Sequence, residues 1–306
     1  MRSGLIAATT VVLVLGCGAT AADQRRPARL RVQKTIHIGA APMSLAYGAG
    51  SVWVVDYGAS KLDRINPARN RVTARLNMDP EPFGVAYGAG SVWVGSSGGS
   101  VVKRVDPATN RVVARVTVGD QSIGLDATDD AVWVAIYGEG GVARIDPTTN
   151  RVVKRINIGG MPEDVVVDGD SLWVPNEDGS VERLDAISGA VVARIKVGPD
   201  PDAAAICRGR LWVTSLYGRY VSIIDRGTNR VARRVKAGVG TEGVACGRSA
   251  WIANYGTGKL LRVDPRTRRI TGRANVGLQP REVILAKKSV WVVNSAVGSV
   301  SRVRGR

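Results

Sequence analysis

The chain has 306 residues, with 43 Lys and Arg against 26 Asp and Glu, a net charge of +17, seven Trp and a single His. One histidine argues against catalysis by paired imidazoles, and three cysteines with no Cys-x-x-Cys pair argue against a structural zinc site. Charge alone suggests nucleic acid or an anionic membrane, so the placement of the basic residues has to decide.

Residues 1–22 differ from the rest: Arg2 precedes an apolar run from Leu5 to Leu15 and then small residues. This pattern reads as a secretory signal, too short for a membrane span. Two cleavage sites compete. Val14-Leu15-Gly16-Cys17 looks like a lipoprotein box with Cys17 as the lipidated residue, whereas Ala19-Thr20-Ala21 fits an ordinary A-x-A site. Either places the mature protein outside the cytoplasm, secreted or lipid-anchored at the cell envelope. The anchor would be its only membrane contact. Residues 23–30 form a polar, Arg-rich tether without periodicity.

From residue 31 to 306 the chain is repetitive. Trp53, Trp93, Trp133, Trp173, Trp212, Trp251 and Trp291 are spaced by 40, 40, 40, 39, 39 and 40 residues. Within a unit the apolar residues alternate, as in Val92, Val94, Val101, Val105 and Val112, which is strand periodicity. Four strands can be read per unit: Gly84–Tyr87 (A), Ser91–Gly95 (B), Val101–Val105 (C) and Arg111–Val118 (D). One such sheet cannot cover its own apolar faces, so a period near 40 with four strands predicts a blade, and seven blades a closed β-propeller. Each Trp sits inside an apolar strand. Burying it removes roughly 150–250 Å² from water, about 4–6 kcal/mol as an upper figure, which assigns the Trp to packing between blades. Asp106-Pro107-Ala108-Thr109-Asn110 and its copies are hairpin turns between C and D: Pro presets φ, Asp bonds the backbone ahead and Asn tolerates a left-handed conformation.

The ends complete one blade together. Arg31–Ile38 aligns with the D strand Arg71–Met78, while Glu282–Leu285, Ser289–Val293 and Ser299–Val303 supply A, B and C. The N-terminal strand therefore closes the ring, and His37 falls on the outer face of an edge strand. No segment is left over for a second core, and a monomer is expected.

Most arginines recur at fixed places, one on strand C and two on strand D, as in Arg104, Arg111 and Arg115. Spread around a circumference they form a solvated rim that protects sheet edges, which argues against a nucleic-acid groove. Without Cys17 the mature chain keeps Cys207 and Cys246, at matching ends of two A strands; they can pair as a disulfide or remain two thiols.

In an up-and-down meander the D-to-A and B-to-C connections share one face. Half of the acids fall there: Asp56, Asp79, Glu81, Asp120, Glu139, Glu163, Asp164, Glu177, Asp178, Asp200, Asp202, Glu242 and Glu282. At the third position after each Trp stand Asp56, Ser96, Ile136, Asn176, Ser215, Asn254 and Asn294, with Tyr57, Tyr137 and Tyr255 beside them. The expected ligand site is therefore Asp56, Tyr57, Tyr137, Asp164, Asn176, Asn254, Tyr255, Glu282 and Asn294 around a channel mouth. Asp56, Asp164 and Glu282 would be oxygen ligands for Ca²⁺ or Mg²⁺. An amine-bearing small molecule or a basic peptide suits the same surface.

Val290-Trp291-Val292-Val293-Asn294 and Arg144-Ile145-Asp146-Pro147-Thr148-Thr149-Asn150-Arg151 resemble the YVTN-repeat β-propellers of bacterial envelope proteins, with Trp where that family usually has Tyr. The resemblance covers residues 31–306. It implies a propeller acting in binding or at the cell surface, toward a small molecule or protein, with one family member reported to bind single-stranded DNA. The streptogramin B lyases are similar propellers with a catalytic histidine and a metal, but no histidine lies in an A or B strand here. Three functional classes follow: a non-enzymatic binding module using the acidic face; a metal-dependent lyase or lactone hydrolase with Glu282 or Asp164 as base; and an electrostatic binder of single-stranded nucleic acid or anionic lipid.

Overall fold

The computed structural model describes residues 26–305; Cys17 and both expected cleavage sites lie outside the described residues. Seven four-stranded antiparallel meanders make up the ring. In blade one the strands are Pro42–Gly48 (A), Ser51–Asp56 (B), Lys61–Asn66 (C) and Arg71–Asn77 (D). Alternation drives each strand to form a two-sided sheet, and both sides must then be covered by neighbouring blades. The burial follows suit: seven separate apolar cores lie between consecutive blades.

Each core carries one Trp as its largest side chain. Trp53 packs with Val55 and Leu62 of its own blade and with Val85, Val92, Val94 and Val105 of the next, and Trp291 does the same between blades seven and one. All seven are at most 2% exposed. The packing role expected for them is the observed one.

The ring closes as the repeat alignment expects. Val32–His37 is the outer strand of blade seven and pairs antiparallel with Ser299–Arg304, with Ile36 opposite Val300 and His37 opposite Ser299. The tether differs from expectation, because Ala28–Arg29 adds a fifth, parallel strand to blade six against Gly272 and Arg273. Leu30 follows into the core between blades six and seven. Glycine makes this possible, since a Cβ at position 272 would lie 2.9 Å from Leu30 Cγ.

The arginines correct the reading of a merely solvated rim. Arg64, Arg104, Arg183 and Arg302 on strand C lie over Trp53, Trp93, Trp173 and Trp291 at 4.9–5.2 Å. Each then reaches the next blade's C-to-D turn. Arg64 donates to the Pro107 carbonyl and to Asn110 Oδ1, and Arg302 to Pro67 and Asn70 across the chain ends. The turn asparagine thus does two jobs, adopting a left-handed φ and accepting a guanidinium. On strand D, Arg75, Arg155, Arg194 and Arg234 donate to carbonyls at the end of the preceding blade.

Where the strand-C latch is missing, other devices stand in. Blade five has Ile223 opposite Trp212, and there Cys207 and Cys246 join blades five and six as a disulfide with Cα atoms 5.3 Å apart. Blade seven has no C-to-D turn for blade six to grip, and the strand Ala28–Arg29 with Leu30 fastens that pair. Between blades three and four the grip comes from strand D, where Lys154 Nζ donates to the Ile187 carbonyl of the blade-four turn. The blade-four turn carries Ala186 and Gly189 in place of Pro and Asn, and Arg144 bonds the Asp130 carbonyl instead. A groove of ≈ 710 Å³ remains, lined by Trp133, Arg144, Lys154 and Ile187 among others.

The latch has a measurable weight. Arg104→Ala removes hydrogen bonds to Ser91, Pro147 and Asn150 and a stacked cation, and leaves the Asn150 acceptor without its partner. A loss of about 2 kcal/mol in denaturant unfolding is expected. Arg111→Ala, an exposed arginine on the rim, should change stability by less than about 0.5 kcal/mol.

Candidate functional site

The inner strands of all seven blades converge on an axial cavity of ≈ 440 Å³ at the face bearing the D-to-A loops. Register places one residue of each blade at its first level: Met43, Phe83, Ile123, Glu163, Asp202, Glu242 and Arg281. Blades one to three therefore present an apolar wall, and blades four to seven three carboxyls and one guanidinium. One residue further in stand Ser44, Gly84, Gly124, Asp164, Ala203, Gly243 and Glu282. Small residues predominate because the inner strands nearly touch: a Cβ on Gly124 would sit 2.5 Å from Asp164 Cα. Asp164 and Glu282 are the long side chains of that level, and Asp126 lies deeper.

Six carboxyls and one cation face this cavity, and burial pushes the carboxyl pKa values up. Glu163 rises to about 8, through burial first and then the charges of Asp202, Asp200 and Glu177. Burial raises Glu282 to about 7, with Asp202 adding to it against a hydrogen bond from Val283 N. Asp164 is raised well above the ordinary carboxylate range by burial and by Glu282, although it accepts hydrogen bonds from Val165 N and Ala204 N. Glu242 and Asp202 are also raised by burial, with Arg281 pulling both down. Asp126 moves the same way while accepting from Val167 N of blade four. Two of the six thus tie inner strands of neighbouring blades. The remaining four keep their carboxyls toward the cavity, Glu242 in an ion pair with Arg281 at 3.2 Å.

The sequence-predicted residues divide into two groups. Asp164 and Glu282 line the cavity as expected. The tyrosines stand at its lip: Tyr57 meets Phe83 edge-on at 6.4 Å, Tyr255 lies under Arg281 at 5.0 Å, and Tyr137 donates to Glu177 Oε2 at 2.8 Å. Burial and that carboxylate raise Tyr137 to about 12. The position three after each Trp does not form a ring of ligands. Asp56 accepts from Ala40 N, Ala41 N and Ala59 N; Asn176 joins Gly159 O and Met161 N; Asn254 joins Ala237 O and Thr257 N. Asn294 donates to Ser299 and Ser301. Asp56 and Asn254 thereby clamp the incoming D-to-A loop to the outgoing B-to-C turn, while Asn176 holds the D-to-A loop alone and Asn294 the following strand C. With Asp56 so engaged, the Ca²⁺ or Mg²⁺ site of Asp56, Asp164 and Glu282 does not form. Among the described residues no group of three or more His, Cys, Asp and Glu has a metal-holding geometry.

Glu163, Asp202 and Glu242 were placed on the right face by the sequence but not in the site, and Arg281 joins them there. The signal that finds them is the position ten before each Trp (nine in blade six, whose A-to-B turn is one residue shorter), because the start of strand A lies nearest the axis.

Residues 45–177 match the family model of glutamine cyclotransferase, which is less than half of the chain. No curated protein matches. Among solved structures, hydrazine synthase of Kuenenia stuttgartiensis superposes with a TM-score of 0.76 at 17% identity, over 86% of this chain and 95% of that one. At that identity the likeness is one of fold. The cyclotransferase match names a different family from the YVTN-repeat proteins that the repeats resemble, and the β-propeller is common ground.

Proposed function

We propose that the protein binds an amine-bearing small molecule or peptide terminus in its axial cavity. The observation that carries this reading is the division of one level of the cavity into Met43, Phe83 and Ile123 on one side and Glu163, Asp202 and Glu242 on the other. An ammonium group satisfies the carboxyls by charge and hydrogen bonds, and an aliphatic or aromatic portion covers the opposite wall. Thermal shift against a panel of primary amines and matched carboxylates tests it. Amines at a hundredfold excess over their dissociation constant should stabilise the fold by about 2.7 kcal/mol, and carboxylates should not. Equal, negligible shifts from both sets would refute the site.

A second reading adds turnover, and the cyclotransferase match, which includes Glu163 and Asp164, favours it. In an N-terminal glutamine the α-amine attacks the side-chain carboxamide carbon; the new C–N bond closes a lactam, the old C–N bond breaks and ammonia leaves. The α-ammonium gives up two protons, one before attack and one after; carboxylates take both, and a protonated carboxyl such as Glu163 returns one to the departing nitrogen, so that one net proton is released. Ammonia release from glutaminyl peptides, falling 10²–10⁴-fold in Glu163→Gln, distinguishes this reading from simple binding.

A further inference from the structure

The cavity's carboxyls do not sit at one depth, and the count exceeds what one ammonium can offset. Glu163, Asp202 and Glu242 occupy the first level, Asp164 and Glu282 the second, and Asp126 a position three strand residues below Glu163, about 10 Å at 3.3 Å per residue. Above them Glu177 and Asp200 continue the series at the lip, close enough for their charges to act on Glu163. Arg281 is the one cation among the cavity residues. Glu242 is 4% exposed, and its Oε1 accepts no hydrogen bond from the described residues, its neighbour being the Arg281 guanidinium at 3.2 Å. Facing this column of carboxyls, Met43, Phe83 and Ile123 form an apolar wall at the first level, with Ser44, Gly84 and Gly124 below them, while Leu45, Val85 and Leu125 pack into the cores between blades.

A ligand that fits both walls carries cationic groups spaced along its length and methylenes between them. We infer that the cavity takes a linear aliphatic diamine or longer polyamine, one ammonium at the level of Glu163, Asp202 and Glu242 and the next beside Glu282, with its methylenes on the Phe83 side. This rests on the amine reading above and narrows it to ligands with at least two charges. A monoamine leaves the second level of carboxyls without a counter-charge, whereas a divalent metal ion finds no group of three or more ligands among the described residues and gains nothing from the apolar wall.

Calorimetry with butylamine, 1,4-diaminobutane and spermidine, on the intact protein and on the Glu163→Gln and Glu282→Gln variants, tests this. The diamine should bind at least tenfold more tightly than the monoamine, 1.4 kcal/mol, because a second charge-assisted contact is gained. Glu282→Gln should collapse that ratio toward one by weakening the diamine at least tenfold more than butylamine, and circular dichroism should show both variants folded. Equal affinity for mono- and diamines would overturn the polyamine assignment and leave the amine site standing. Failure of every amine to bind would overturn both. Tight binding of Mg²⁺ or Ca²⁺ in place of amines would also refute it.

Discussion

A chain that starts at residue 39 is expected to lose the folded monomer. The truncation removes Val32–His37 from the Ser299–Arg304 edge, Ile36 and Ile38 from the core between blades seven and one, and Leu30 from the core between blades six and seven. Two buried isoleucines at about 1.5–3 kcal/mol each, with the partly buried Leu30 and Val32 besides, already approach the 5–15 kcal/mol by which typical domains are stable. The exposed edge that remains is long and flat, a template for pairing with other chains. Size exclusion should show aggregates, and a synthetic peptide spanning residues 26–38 should restore a monomer that melts cooperatively. A truncated protein that stays monomeric and melts like the parent would show that blade seven does not need its fourth strand.

The second large effect is in pH. A carboxyl whose pKa is higher in the fold than in the unfolded chain holds its proton more tightly when folded. Its contribution is complete below the ordinary value and is lost as pH rises through the folded value. For Glu163 that window runs from 4.5 to about 8, and Glu282 follows it to about 7. Asp79, Asp106 and Asp264 have lowered values, so their support is already complete above the ordinary 3.8 and does not oppose the trend. A tenfold change in proton affinity is about 1.4 kcal/mol, and the cavity is open to water, so the cavity carboxyls together should cost on the order of 4 kcal/mol between pH 5 and pH 9. Chemical unfolding of the free protein should show stability falling across that range. Glu163→Gln with Glu282→Gln should flatten the slope and leave the protein more stable than the parent at pH 9. A parent whose stability rises toward pH 9 would show that these carboxyls are ionised without strain.

The architecture was legible because its signals are local and repeated. A Trp every 39 or 40 residues, alternation within each unit, and the match of Arg31–Ile38 to a D strand each state a packing requirement that only a closed ring of blades satisfies. The site was legible by half. Counting acids per loop found the face, and Asp164 and Glu282, because loop order follows from topology. Which way a side chain turns at a strand end does not. Asp56, Asn176 and Asn254 carry the oxygens expected of ligands, yet backbone groups of the adjoining loops claim them, and Asn294 turns to the hydroxyls of Ser299 and Ser301. The arginines misled for a related reason. A guanidinium on strand C reads as solvated until the neighbouring blade's Pro-x-x-Asn turn is seen to lie against it, a contact 43–46 residues away in sequence.

The joint between blades three and four coincides with a change in the character of the cavity wall. That joint divides the ring into two arcs, blades one to three with Met43, Phe83 and Ile123, and blades four to seven with the carboxyls and Arg281. The arcs meet again only at the joint between blades seven and one, which carries both the closing strand and the Arg302 latch. The boundary between the apolar and the acidic wall thus falls at two joints with unlike fastenings, a lysine on the turn at one and the closing strand with the arginine latch at the other.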